Sequence, residues 1–168
     1  MKQGVLSVSK QKKEISPLNV RGPVLVIDDD EKFRNQLEQM LRTMGVASIC
    51  LESGSHCLRF IQNQPWNWYP ALVITDLVMD GMGGYHLIRR IHEQYPHRNI
   101  PVVVVSKLNA SVDVGEAEAA GAVAYVTKPL DAERLHQTLD RVLNHDASKG
   151  MLVFTTNFGG ERKKRSRQ

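Results

Sequence analysis

The sequence predicts an α/β fold: a doubly wound parallel sheet of five strands with five helices. Two observations carry this. Five short apolar runs read as continuous rather than alternating, the pattern of strands buried on both faces. Between them lie segments whose apolar residues recur every three or four positions, as on one face of a helix. Strands and helices alternating in this way close into a parallel sheet covered on both sides by right-handed crossovers.

The elements follow in order. Val24–Ile27 is the first apolar run, and Phe33, Leu37, Met40, Leu41 and Met44 mark the first helix, with Gly45 as its C-cap. Residues 46–51 form the second strand, and Cys57, Leu58 and Ile61 give the face of a helix that stops near Pro65. Leu72–Thr75 is the third strand; Leu87, Ile88, Ile91 and Tyr95 define a third helix closed by Pro96. The run PVVVV at 101–105 is the fourth strand, and an Ala- and Glu-rich helix over 112–120 ends at Gly121. Residues 122–126 make the fifth strand, and Leu135, Leu139, Val142 and Leu143 the last helix.

In such a sheet function gathers at the carboxyl ends of the strands. Here the first strand runs into Asp28 and Asp29, the third into Asp76, the fourth into Ser106 and the fifth into Lys128. Parallel strands bring these side chains to one edge. Two carboxylates about 4 Å apart repel by about 4 kcal/mol at an effective dielectric near 20, so protonation, a cation or plain solvation on a surface loop has to offset the cluster. An all-oxygen donor set suits a hard ion such as Mg²⁺, which takes one or two carboxylates and bridges to a phosphate. No His or Cys stands at these strand ends, which argues against zinc. A carboxylate can also act as a nucleophile toward a phosphoryl group, and a metal and a Lys would then neutralise the incoming charge.

Composition bounds the alternatives. Of the 168 residues 42% are hydrophobic and 24% charged, as in ordinary globular domains. There is no long apolar run to span a membrane and no apolar core of an export signal, so a cytoplasmic protein with reduced Cys50 and Cys57 is expected. Residues 1–22 carry a net +4 and 147–168 a net +5; with +4 for the whole chain, residues 23–146 carry −5. An acidic body from 23 to 146 is thus flanked by a basic N-terminal tail and a basic C-terminal tail, both expected to be flexible. The basic runs KQKK and RKKRSR would suit nucleic acid or an anionic membrane, but solvated tails are the favoured reading. The stretch MLVF at 151–154 is anomalous in such a tail and is expected to dock on the body or on a partner.

The ordered blocks VLVIDDD, LVITDLVMDGMGG, VVVVS and GAVAYVTKP, with 30 residues from Asp76 to Ser106 and 22 from Ser106 to Lys128, resemble the receiver domain of two-component response regulators. The resemblance covers about residues 23–145. It implies a flavodoxin-like sheet of strand order 2-1-3-4-5 and a stand-alone phosphorylation switch, not an enzyme. Asp76 would be the phosphoacceptor. Asp29 would bind Mg²⁺ directly, Asp28 through a water, and the backbone carbonyl of Val78 would complete the protein's share of the metal shell. Ser106 and Lys128 would bind the phosphoryl group, and Tyr125 would be the aromatic whose inward turn reports activation. The bond before Pro129 would be cis. The implied partners are a sensor histidine kinase or histidine phosphotransfer protein as donor, and an effector protein on the face of the fourth helix, fifth strand and fifth helix.

The chain departs from the family pattern at several positions. Asp80 stands where Pro is usual, Gly83 where Asp is usual, and Ala71 where Asp is frequent. Gly83 and Gly84 are expected to loosen the loop after Asp76. Lys107 replaces a small residue beside the site and adds a cation there. Val78 and Leu108, both apolar, would position a hydrolytic water poorly. The competing reading is an Asp-nucleophile, Mg²⁺-dependent phosphatase built on Asp28 and Asp30. Lys32 stands where that mechanism expects a small hydroxyl or β-branched residue, and five short units leave no cap.

Overall fold

The computed structural model describes residues 17–144 and 151–154. The elements run β1 (Val24–Ile27), α1 (Glu31–Thr43), β2 (Ser48–Leu51), α2 (Gly54–Gln62), β3 (Leu72–Thr75), α3 (Gly84–Gln94), β4 (Val102–Ser106), α4 (Ser111–Ala120), β5 (Ala124–Thr127), α5 (Ala132–Leu143) and β6 (Leu152–Phe154). All strand pairs are parallel, in the order β2-β1-β3-β4-β5-β6. The expected 2-1-3-4-5 sheet is present, and the MLVF stretch adds a sixth strand at its β5 edge.

Alternation along the strands sorts the core into two layers. Leu25, Ile27, Val73, Val102, Val104 and Tyr125 face α2, α3 and α4, packing on Cys57, Ile61, Leu87, Ile88, Ile91 and Ala117. Val24, Val26, Leu72, Ile74, Val103, Val105, Ala124 and Val126 face α1 and α5, packing on Leu37, Leu41, Leu135, Leu139 and Val142. The continuous apolar runs of the sequence exist because each strand must serve both layers.

Local signals set the helix ends. Asp30 caps α1 by accepting the Phe33 N–H at 3.2 Å, and Asp131 caps α5 through the Arg134 N–H at 2.8 Å. Gly45 stands just past the α1 cap at φ 72°, donating to the Arg42 carbonyl. Gly84 opens α3 for another reason. A Cβ there would lie 2.2 Å from the Asp76 carbonyl oxygen, so the helix starts tightly against the end of β3. Gly84 thus permits a close approach, a use of glycine separate from the freedom expected of the Gly83–Gly84 pair.

The body also reaches further toward the N-terminus than residue 23. The Leu18 N–H donates to the Met44 carbonyl, and Leu18 and Val20 pack on the α1/α5 layer. The basic runs at 10–13 and 162–167 lie outside the described residues. Among the described residues no helix is long and apolar enough to cross a membrane, and Cys50 and Cys57 are free thiols.

Candidate functional site

Strand register builds the site. Ile27 pairs with Thr75, so the next residues, Asp28 and Asp76, emerge side by side from β1 and β3. Ser106 pairs with Thr127, so Ser106 and Lys128 emerge beside them from β4 and β5. The Asp76 N–H donates to the Ile27 carbonyl and the Lys128 N–H to the Ser106 carbonyl, extending the ladder one step past the strands.

The Lys128 ammonium ties the acids together. Its Nζ donates to Asp28 Oδ2 and to Asp76 Oδ2, both at 2.7 Å. The other oxygen of each acid is held by backbone. Asp28 Oδ1 accepts the Asp30 N–H at 2.9 Å; Asp76 Oδ1 accepts the N–H groups of Leu77 at 2.6 Å and Val78 at 3.2 Å. Asp28 and Asp76 are buried, whereas Asp29 is exposed and accepts the Asp80 N–H across the mouth at 3.1 Å. Asp30, by contrast, serves as the α1 cap. The N–H of Phe33 holds its carboxyl below the usual range.

Burial raises the Asp28 carboxyl above its ordinary value, although Lys128 and the Asp30 N–H pull it down. Burial alone would push Lys128 down, but its hydrogen bonds to Asp28 and Asp76 prevail and hold it above the ordinary lysine value. Of the carboxylates here, Asp28 and Asp76 share a single ammonium in direct contact, that of Lys128. Among the described residues no three Asp, Glu, His or Cys side chains form a ready-made metal cage. The donor set nonetheless fits Mg²⁺, which keeps most of its waters and needs only one or two protein carboxylates.

Ser106 is buried beside the acids, its Oγ accepting the Leu108 N–H at 3.3 Å. Tyr125 lies fully inward, its hydroxyl donating to the Leu108 carbonyl at 2.9 Å, and burial pushes that hydroxyl up to about 12. Val78 is exposed in the loop after Asp76. The Lys128–Pro129 peptide bond is cis. A cleft of about 370 Å³ opens beside these residues, lined by Phe33, Gln36, Lys107, Lys128, Pro129 and Leu130.

Three contributors escaped the sequence reading. The Phe33 ring lies under the Lys128 ammonium, 3.9 Å from Nζ to the ring centre. Arg34 donates to the Asp28 carbonyl at 2.5 Å, and Asp80 acts through its backbone N–H. Phe33 fits the helical periodicity of α1 and so reads as a core residue, yet from the first turn of α1 its ring reaches Lys128.

Residues 24–140 match the family model described as the response regulator receiver domain. The chain is 31% identical over 124 residues to the transcriptional regulatory protein GlrR of Escherichia coli (strain K12), covering 74% of this chain and 27% of that protein. It is 30% identical over 128 residues to the DNA-binding transcriptional regulator NtrC of Klebsiella pneumoniae, covering 74% and 25%. The chain thus spans about a quarter of the length of these curated relatives. Among solved structures, the signal receiver domain of a signal transduction histidine kinase from Syntrophus aciditrophicus superposes with TM-score 0.65 at 28% identity, covering 74% of this chain and 91% of that one. The chemotaxis protein CheY4 of Vibrio cholerae shares the fold with TM-score 0.65 at 24% identity, covering 73% and 98%. With the family model spanning both carboxylate-bearing strands and the Lys128 turn, the chain belongs to the receiver domains of two-component response regulators.

Proposed function

We propose that this receiver domain accepts a phosphoryl group on Asp76 and passes the signal on by protein–protein contact. The observation that carries the reading is the Lys128 ammonium, 2.7 Å from both Asp28 and Asp76 at the convergence of strand ends. Asp76 Oδ1 is fixed by two backbone N–H groups, which leaves Oδ2, on the Lys128 side, as the attacking oxygen. Attack by Oδ2 on a phosphohistidine forms the P–O bond as the P–N bond breaks; the imidazole leaves with the bonding pair and takes a proton from solvent. The donor is a sensor histidine kinase or a histidine phosphotransfer protein.

Asp28, Asp29, Asp76 and the Val78 carbonyl would hold Mg²⁺, which supplies charge neutralisation for the transferring group. Lys128 gives up its bond to Asp76 Oδ2 and pairs with a phosphoryl oxygen, while Asp28 keeps the ammonium in place. Ser106 turns from Leu108 to donate to a second phosphoryl oxygen. That exchange releases the Leu108 N–H, in the same loop whose carbonyl holds Tyr125, and so links the acceptor to the α4–β5–α5 face, where an effector docks. The domain turns over no external substrate.

The test is acetyl phosphate with Mg²⁺ followed by intact mass. One phosphoryl group is expected per chain, acid-stable and base-labile, and none on Asp76→Asn. Uptake of one group by Asp76→Asn would overturn the assignment, and catalytic turnover of a chromogenic phosphate ester would restore the phosphatase reading.

A further inference from the structure

The sixth strand breaks the rule that builds the rest of the sheet. The units β3-α3-β4 and β4-α4-β5 step in one direction across the sheet, with α3 and α4 in one layer. The unit β5-α5-β6 takes the next step in the same direction, but its helix α5 lies in the opposite layer, beside α1. Its crossover therefore has the opposite hand. About 98% of such crossovers are right-handed, because a right-twisted strand feeding a helix packs back onto the sheet only that way. β6 is thus not a sixth repeat of the winding. It is a three-residue strand laid on an edge, where a row of N–H and C=O groups is open to pairing with any extended segment.

The edge is that of β5, between α4 and α5. Leu152, Val153 and Phe154 stand in register with Ala124, Tyr125 and Val126. Met151 anchors the segment from α4: its N–H donates to Glu118 Oε1 at 3.4 Å, and it packs on the layer that holds Tyr125. Backbone direction identifies the groups involved. The Val123 N–H points to β4, bonding the Val102 carbonyl. Successive residues point oppositely, so the N–H groups of Ala124 and Val126 point to β6 and that of Tyr125 to β4. Val153, opposite Tyr125, then turns its own N–H and C=O toward β5.

We propose that the β5 edge is a strand-docking site whose resident ligand is this chain's own segment 151–154. Held by a few backbone bonds and one side-chain anchor, and unsupported by crossover geometry, the segment is a releasable occupant. A protein that docks through β5 on the α4–β5–α5 face must displace it; this consequence rests on the signalling reading above. The apolar MLVF stretch within a basic tail is accounted for, since it is the segment that pairs with this edge.

The test is amide hydrogen exchange by NMR on the full chain, with no phosphodonor present, so that failure here leaves the Asp76 assignment standing and failure at Asp76 leaves this result standing. Val153→Pro deletes the central donor of β6. Exchange at Ala124 and Val126 is expected to quicken at least tenfold, while Tyr125 is unchanged. Glu118→Ala, which removes the Met151 anchor from outside the strand, is expected to quicken the same two amides by a smaller factor. Ala124 and Val126 exchanging as fast in the wild type as in Val153→Pro would overturn the proposal. So would acceleration spread equally over β1, β3 and β4, since that would report global unfolding rather than release of an edge.

Discussion

Lys128 Nζ stands 2.7 Å from Asp28 Oδ2 with both side chains nearly withdrawn from solvent, the lysine 8% and the aspartate 2% exposed. A buried pair of this kind is costly to break from one side, because the partner left behind keeps its desolvation penalty.

Lys128→Met therefore removes the one ammonium shared by Asp28 and Asp76, and about 3 kcal/mol of stability should be lost at pH 7.5. The loss should shrink toward acid. The folded-state value of Asp28 is already raised by burial, so above the ordinary 3.8 the folded form holds a proton that the unfolded form has released. That group contributes stability which falls as pH rises through the window above 3.8, and without Lys128 the slope steepens. Urea melts of both proteins at pH 4.5 and 7.5 measure it; an equal loss at the two pH values would contradict the account.

Gly84→Ala should prove more damaging than its size suggests. The added Cβ would meet the Asp76 carbonyl oxygen at 2.2 Å and Leu77 Cα at 2.9 Å, both backbone atoms that cannot swing aside. Overpacking of this kind costs about 1–3 kcal/mol, and here the displaced atoms carry the acceptor. A lowered urea midpoint should accompany slower phosphorylation of Asp76. Gly81→Ala is the contrast. Nothing lies within 4 Å of its Cβ and only its φ of +77° is violated, so it should lose stability and leave the rate nearly intact.

These two residues also separate what the sequence could disclose from what it could not. The strand ends were legible because a parallel sheet forces them together: once Asp28, Asp76, Ser106 and Lys128 each terminate an apolar run, their convergence follows from topology. The close approach at Gly84 was not legible because a glycine has two uses, φ freedom and close approach, and only the neighbouring backbone reveals the second. Phe33 was placed on the core face of α1 by periodicity, which gives a face but not the contact of its ring with Lys128. Residues 151–154 were recognised as anomalous but not as a strand. Three residues carry no period, and their pairing with β5 is a matter of backbone register that side-chain pattern does not encode.

Tyr125 gives an alkaline signature. Its hydroxyl is raised from 10.0 to about 12 by burial. Between those values the unfolded chain has lost a proton that the folded chain keeps, so stability falls as pH rises from 10 to 12. Tyr125→Phe should lose about 1 kcal/mol at pH 7, the worth of its bond to the Leu108 carbonyl, yet show a flatter decline above pH 10. Unfolding free energies at pH 7, 10 and 11 for both proteins test this, and parallel declines would show that another group carries the alkaline transition.

The remaining question at the site is whether Lys107 blocks a phosphodonor or draws it in, and its exposure favours attraction. Unlike Lys128, it is solvent-exposed on the wall of the cleft that also holds Phe33 and Gln36. A long side chain free in water can move out of the path of a small donor but still contributes its charge. A unit charge about 8 Å from a dianion gains about 1.0 kcal/mol in bulk water, and screening near 0.1 M salt reduces that to about 0.5 kcal/mol. Lys107→Ala should therefore slow phosphorylation of Asp76 by acetyl phosphate about two- to threefold at 0.1 M salt, with the difference closing at 1 M, where the screening length is about 3 Å. The measurement is the rate of uptake by intact mass at the two salt concentrations. A faster rate in Lys107→Ala, independent of salt, would instead identify the side chain as a steric barrier at the mouth of the site.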